Sequence, residues 1–214
     1  MKNTLFYSIL VLMCLWALPM KAQQLKFGED KKFKIVQFTD VHWKADSIAS
    51  EVAGVRMAEV LDAEKPDLVI FTGDVIFGKP ADKSMRCALE PTIKRGIPFA
   101  VTFGNHDDEL GMTRKELYEF IKDMPGNLTS TVEGISGVTN YILPVKASDG
   151  GKDAALLYVF DSNSISMPIW KATAEKPLLQ FLKKPIMFLR EVMREVILIR
   201  QISLELPLFP KKNF

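Results

Sequence analysis

Residues of the types that bind metal ions follow three separate apolar segments of the chain, at the point where each segment ends. The three motifs are Asp40-Val41-His42, Gly73-Asp74 and Gly104-Asn105-His106-Asp107. Both histidines of the chain lie in these motifs. Their carboxylate, amide and imidazole groups form a donor set that suits Mn, Fe or Zn. The pattern therefore predicts a single metal site assembled from three distant parts of the sequence.

The positions of these motifs indicate how they meet. In open α/β sheets the carboxyl ends of the strands form the crevice that binds ligands, so three parallel strands bring their exit loops to one rim. Asp40 and His42 are alternate residues of an extended segment and are expected to point the same way. Gly73 and Gly104 are expected to let the backbone turn sharply. Taken singly, each motif is also typical of a turn or a polar loop; only the combination favours a shared site.

Apolar periodicity predicts the elements that position the motifs. The predicted strands are residues 33–38, 68–71, 97–103, 141–145 and 154–160. The predicted helices are residues 48–63, 82–95 and 113–124. The last helix has Thr113 as its N-cap, with Glu116 completing a capping box. Because strands and helices alternate through the first three strands, the sequence predicts the α/β class with a largely parallel sheet.

Length and composition exclude several classes of protein. The 214 residues suffice for one sizeable domain, and 48% hydrophobic with 25% charged residues is an ordinary globular composition. A formal net charge of +2 gives no general case for binding nucleic acid, so no such partner is predicted. The two cysteines cannot form a disulfide framework, since Cys14 lies in a segment predicted to be removed.

Residues 1–22 are predicted to be a secretory signal peptide. Lys2 supplies the positive start, the uncharged apolar run spans the 16 residues from Leu5 to Met20, and Ala22 stands at the expected cleavage position. An uncleaved anchor helix is the alternative, but the run is shorter than the ~20 residues that a spanning helix needs. The chain is therefore expected to be exported, periplasmic or secreted, without a stable membrane anchor after cleavage.

The three motifs, in this order and each after an apolar strand, resemble the calcineurin-like metallophosphoesterase superfamily. Residues 33–166 resemble its exported, purple-acid-phosphatase-like branch, most closely in the segments 97–109 and 158–163. The resemblance implies an αββα sandwich. It also implies a metal-dependent phosphoesterase that hydrolyses a phosphomonoester or phosphodiester through two divalent or trivalent metal ions (Mn, Fe or Zn).

The resemblance also implies a role for each metal-binding position. Asp40 and His42 would hold one ion, Asp74 would bridge both, and Asn105 would hold the second. A pair of ions held in this way can clamp the reacting phosphoryl group and activate the attacking water. The implied substrate is a phosphate ester.

Two further positions are implied to be catalytic. His106 would face the substrate, without binding metal, and would steady the transition state or protonate the leaving oxygen. Asp107 would orient that imidazole and favour its charged form. Phe77 stands where purple acid phosphatases of this order carry a tyrosine. Because phenylalanine cannot bind iron, no tyrosinate-to-iron colour is expected.

The second half of the family pattern is missing. The family uses a further histidine and then a G-H-x-H block, whereas no histidine follows His106 and no glycine follows Gly151. The resemblance therefore covers only the N-terminal part, and the sandwich is expected to be incomplete at its C-terminal half. Little phosphatase activity is expected from a truncated site. The alternatives are a non-catalytic remnant that binds metal or phosphate weakly, and a subunit whose partner chain completes the site.

Residues 167–214 differ in kind from the preceding domain, which is predicted to span residues 23–166. Residues 23–169 carry a net charge of −5, and residues 170–214 carry +5. An amphipathic helix is predicted at 186–201, which could lie on a membrane surface or cover the sheet. The favoured hypothesis is a reading-frame shift after Ser166. A segment of that origin should dock poorly and leave apolar surface on the second sheet exposed.

Overall fold

The computed structural model describes residues 24–163 and, for the backbone, a strand at residues 196–203. In chain order the described elements are β1 (Lys32–Thr39), α1 (Ile48–Glu64), β2 (Leu68–Thr72), α2 (Ala81–Ile93), β3 (Phe99–Thr102), α3 (Arg114–Ile121), β4 (Tyr141–Lys146), β5 (Asp153–Val159) and β6 (Val196–Ser203). Strands and helices alternate up to α3, which confirms the predicted α/β class.

The main sheet is parallel, with the strand order β3-β2-β1-β6. The strand β2 is apolar over most of its length because both of its faces are covered. Alternate side chains of β1 serve opposite faces: Val36 and Phe38 pack against the helices, whereas Phe33 and Ile35 face the second sheet. The carboxyl ends of β1, β2 and β3 therefore open onto one edge, where the motifs begin.

Helix ends follow the local signals in the sequence. The helix α1 ends at Lys65, which adopts a left-handed conformation just before Pro66. At the start of α3 the predicted capping box is present: the Thr113 side chain accepts from the Glu116 N–H, and the Glu116 carboxylate accepts from the Thr113 N–H at 2.8 Å. This cap fixes the point at which the loop after β3 becomes a helix.

Replacing Thr113 with alanine is expected to lower the free energy of unfolding by about 1 kcal/mol, because the cap satisfies N–H groups that have no intrahelical partner. Urea unfolding followed by circular dichroism measures the change. Thr131→Ala, at an exposed position, removes the same atoms and is expected to stay within about 0.5 kcal/mol of the parent protein. Equal losses in both variants would contradict a capping role.

The second sheet is the antiparallel hairpin of β4 and β5. It packs on the face of the parallel sheet opposite the helices, and the Tyr141 hydroxyl donates to the Val101 carbonyl at 2.8 Å across that interface. Within residues 24–163, these elements form three layers of the predicted αββα sandwich. A cleft of about 520 Å³ lies between the sheets, and at its rim Phe160 is 43% exposed. The exposure of apolar surface on the second sheet stays a prediction.

The helix predicted at residues 186–201 is not formed over its last third. Residues 196–203 are the strand β6, which pairs in parallel with β1 from Lys32↔Val196 to Thr39↔Ser203. The β-branched residues of this segment favour a strand, and an unpaired edge of β1 supplies the hydrogen-bonding partner. The strand gives part of the 167–214 segment a place in the sheet. The frameshift origin of that segment stays a prediction.

Two other predictions lie largely outside the described residues. The signal peptide at 1–22 is not described, and neither is most of the segment from 167 to 214. Among the described residues, none of the helices has the length and apolar character needed to cross a bilayer. Export therefore stays a prediction.

Candidate metal centre

The loops that follow β1 and β2 run side by side at the carboxyl edge of the sheet. The Asp40 N–H donates to the Gly73 carbonyl at 3.2 Å, and the His42 N–H donates to the Asp74 carbonyl at 2.9 Å. Trp43 continues this pairing with the Val75 carbonyl at 2.9 Å, and its buried ring lies against α1 at Gly54. The backbone thus sets the first two motifs in a fixed register.

Three side chains converge at this edge. Candidate ligand atoms of His42, Asp74 and His106 all lie within 4.8 Å of one another. The Nε2 atom of His42 is 3.5 Å from Oδ2 of Asp74, and the two imidazole rings are 5.5 Å apart between centroids. One carboxylate and two imidazoles form a donor set that fits a divalent transition metal. Each predicted motif contributes one member, so the structure brings the three motifs to one place.

The loop after β3 is attached to this group through Asp74. The Oδ1 atom of Asp74 accepts the His106 backbone N–H at 2.9 Å. Gly73 has a φ of 105°, so it makes the predicted sharp turn. Gly104 instead allows the two loops to come close together, because a Cβ atom there would overlap the Asp74 carboxylate and amide nitrogen. The two glycines let the loops after β2 and β3 pass in contact.

Three of the candidate ligands have a left-handed backbone. The φ values are 54° for Asp40, 47° for His42 and 52° for Asp74. Such conformations are uncommon for residues with a Cβ atom and persist where surrounding contacts impose them, often at functional sites. The Asp40–His42 segment is therefore not extended, and the alternation rule that aimed both side chains the same way does not apply to it.

Asp40 and Asn105 are carried by the same loops as His42 and His106. Oδ2 of Asp40 accepts from the Thr39 hydroxyl at 2.6 Å, and among the described residues Asp40 is not a member of the 4.8 Å group. Asn105 is half-buried and directly precedes His106. The assignment of both residues as ligands stays a prediction. The structure brings together one compact group, formed by His42, Asp74 and His106.

His106 is surrounded by groups that fix its ring. The Phe77 ring lies 5.0 Å from it between centroids, and the Glu109 carboxylate lies 3.0 Å from its Nδ1 atom. The Glu109 carboxylate, followed by Asp74, raises the pKa of His106 above its ordinary value, while burial opposes this. Glu109 thus provides a carboxylate in direct contact with the imidazole. Sequence analysis gave it no role, although it lies only three residues beyond His106.

Asp107 joins two loops through their backbones. Its side chain is fully buried, with Oδ1 accepting the Ile76 N–H at 2.9 Å and Oδ2 accepting the Gly104 N–H at 2.8 Å. Burial raises the pKa of Asp107 to about 7, against the effect of these two donors. Its recorded hydrogen bonds thus fix the loop that carries His106. Direct orientation of the imidazole by Asp107 stays a prediction.

A buried ion pair behind the centre escaped the sequence analysis. Nη1 of Arg114 lies 2.6 Å from Oδ1 of Asp161, and both side chains are almost fully buried. Arg114 also donates to the Phe103 carbonyl at 3.2 Å and the Gly104 carbonyl at 2.7 Å. It therefore clamps the exit of β3 to the exit of β5. The one available signal was an aspartate at the end of an apolar strand, within the segment 158–163.

An α/β sandwich with two imidazoles and a carboxylate at the carboxyl edge of its parallel sheet is the architecture of a metal-binding α/β protein. The chain belongs to the calcineurin-like phosphoesterase family, whose family model matches residues 33–199. The match confirms the family that the three motifs indicated. It extends past residue 166, where the sequence resemblance was expected to stop.

Proteins similar to this chain include a probable inactive purple acid phosphatase 29 from Arabidopsis thaliana, which is 34% identical in an alignment 186 residues long that covers 73% of this chain and 48% of that protein. Phosphatase DCR2 from Saccharomyces cerevisiae is 34% identical in an alignment 168 residues long that covers 68% of this chain and 29% of that protein. The chain thus spans less than half the length of these curated relatives. These relatives are named as a phosphatase in one case and as a probable inactive one in the other.

Proposed function

We propose that this chain binds a divalent transition metal and a phosphate ester at the centre formed by His42, Asp74 and His106, and that it hydrolyses the ester slowly. The proposal rests on one observation: the candidate ligand atoms of these residues lie within 4.8 Å of one another. Family membership supplies the reaction class, a phosphomonoester or phosphodiester hydrolysis. Mn, Fe and Zn are the metals that suit these donors.

Each residue of the centre has a distinct task in this proposal. His42 and Asp74 would hold the metal, which supplies a Lewis acid and a more acidic bound water. Asp74 also keeps the His106 loop in place through its bond to the His106 N–H at 2.9 Å. The ring of His106, fixed between Phe77 and Glu109, is placed to donate a proton to the leaving oxygen.

Slow turnover follows from the number of donors. A two-metal mechanism needs both ions held in fixed geometry, and in the described residues the compact group has three members. Asp40 and Asn105 are the remaining donors proposed for a second ion. The chain has no histidine after His106, and therefore no G-H-x-H block, that could complete the coordination of the second ion.

The decisive experiment combines metal binding with turnover. Mn²⁺ titration of the full chain, followed by electron paramagnetic resonance, is expected to show saturable binding that Asp74→Asn weakens at least roughly 100-fold, since the carboxylate charge is lost. Hydrolysis of bis-p-nitrophenyl phosphate and p-nitrophenyl phosphate should be Mn²⁺-dependent but below about 0.1 s⁻¹, far under the ~10 s⁻¹ typical of enzymes.

A matched control separates the site from general charge effects. Asp82→Asn, at an exposed position in the first turn of α2, removes the same charge and should leave both measurements unchanged. If Asp74→Asn binds Mn²⁺ as tightly as the parent chain, the proposed centre is wrong.

The second candidate function is binding without turnover. It is favoured by the three-member group and by the printed description of one relative as probably inactive. This alternative would be established if the chain binds Mn²⁺ and phosphate saturably and shows no Mn²⁺-dependent hydrolysis that depends on Asp74.

A further inference from the structure

A lysine lies at the border of the metal centre. The Nζ atom of Lys44 sits over the Phe77 ring, 5.1 Å from its centroid. The same ring lies 5.0 Å from the His106 ring and 5.9 Å from the His42 ring. Because both groups contact the same ring, the ammonium is within about 10 Å of the His106 imidazole.

The position of Lys44 is built into the surrounding loops. Its backbone N–H donates to the hydroxyl of buried Ser50 at 2.9 Å, and the next N–H, of Ala45, donates to the buried Ser84 hydroxyl at 3.1 Å. The Lys44 backbone and stem lie so close to Gly78 that a Cβ there would be 2.6 Å from the Lys44 Cα. These contacts hold the start of the side chain beside the centre, whereas its end is exposed.

The ammonium itself has no carboxylate partner among the described residues. Its contact with Phe77 is a cation–π interaction at an exposed position, which is weak. A hydrogen bond between an ammonium and an anion is stronger, so an anionic group at this place would draw Lys44 away from the ring.

We propose that Lys44 determines specificity by binding a negative charge on the leaving group of the substrate. The proposal rests on the proposed function, because the metal held by His42 and Asp74 would bind the phosphoryl group beside His106, and the leaving group would then extend along Phe77 toward Lys44. The substrate class is a phosphate ester or anhydride whose leaving group carries a carboxylate or a second phosphate.

The test uses two non-hydrolysable probes that differ by one charge: 4-carboxyphenylphosphonate and 4-carbamoylphenylphosphonate. Isothermal titration calorimetry with the Mn²⁺-loaded full chain is expected to show about tenfold tighter binding of the carboxylate probe, as a charge-assisted hydrogen bond predicts. Lys44→Gln should remove this preference, and Lys44→Arg should retain most of it. Lys94→Gln, an exposed lysine at the far end of α2, should leave the preference intact.

Two results would overturn the proposal. One is equal affinity of the parent chain for both probes, and the other is a carboxylate preference that survives Lys44→Gln. Mn²⁺ binding measured on the same samples separates this proposal from the proposed function. If the chain binds Mn²⁺ and binds both probes with equal affinity, only the role proposed for Lys44 is wrong. If it binds neither Mn²⁺ nor a probe, the proposed function is wrong as well.

Discussion

Replacing Arg114 with methionine is expected to lower the free energy of unfolding by about 3–5 kcal/mol, the usual cost of removing one partner of a buried ion pair. Methionine fills similar space but leaves the Asp161 carboxylate buried without its 2.6 Å partner. It also leaves the Phe103 and Gly104 carbonyls without the guanidinium donors. Chemical denaturation followed by circular dichroism measures the loss.

Two further variants show whether the ion pair is the cause. Arg56→Met removes an exposed arginine that pairs, within the described part of the chain, with the exposed Glu59, and it should change stability by less than about 0.5 kcal/mol. In the Arg114→Met background, Asp161→Leu should cost much less than it does alone, because the unpaired charge is removed as well. A loss below about 1 kcal/mol for Arg114→Met would show that water replaces the clamp.

Replacing Gly104 with alanine is expected to weaken Mn²⁺ binding by about 100-fold, the upper range for changes that displace a metal ligand indirectly. The added Cβ would overlap the carboxylate and amide nitrogen of Asp74, a residue whose carboxylate and carbonyl oxygens accept the backbone N–H groups of His106 and His42. Either Asp74 or the loop after β3 must shift, and the His42, Asp74 and His106 ligand atoms then separate. The Mn²⁺ titration described for Asp74→Asn measures the effect.

Gly151→Ala is the matched control for the Gly104 variant. Its Cβ would meet only the flexible Asp149 side chain, at 3.2 Å, so metal binding should not change. Thermal unfolding of both variants separates a local shift from general destabilisation. If Gly104→Ala binds Mn²⁺ within about threefold of the parent chain, the close approach is not needed for the centre.

The order of the elements was predictable from sequence because its signals are local. The apolar run at 68–72, the Thr113 capping box and the proline after α1 each act through neighbouring residues, and each element formed within a few residues of its predicted ends. The exception is the strand at residues 196–203. The apolar spacing of 186–201 predicted a helix, although the β-branched residues from 196 onward favour a strand. Pairing with the distant strand β1 decided the outcome.

The membership of the centre was only partly predictable. Motifs at the ends of consecutive parallel strands necessarily share an edge, so the meeting of His42 and Asp74 followed from topology. The left-handed backbone at Asp40 and His42 did not follow, because it depends on bonds to the loop after β2. The compact group contains His106 and not Asp40, and the roles predicted for these two residues stay predictions.

The sequence by itself determined the family, the α/β class and the three motifs, since periodicity and motif order are properties of neighbouring residues. The tertiary structure alone decided which atoms meet: Glu109 against His106, Arg114 against Asp161, and Lys44 over Phe77. The latter two contacts join residues at least 33 positions apart, and all three depend on loop conformations and side-chain directions fixed by packing. No local rule sets those directions; the direction of the Arg114 side chain, for example, follows from pairing buried polar groups of several loops at once.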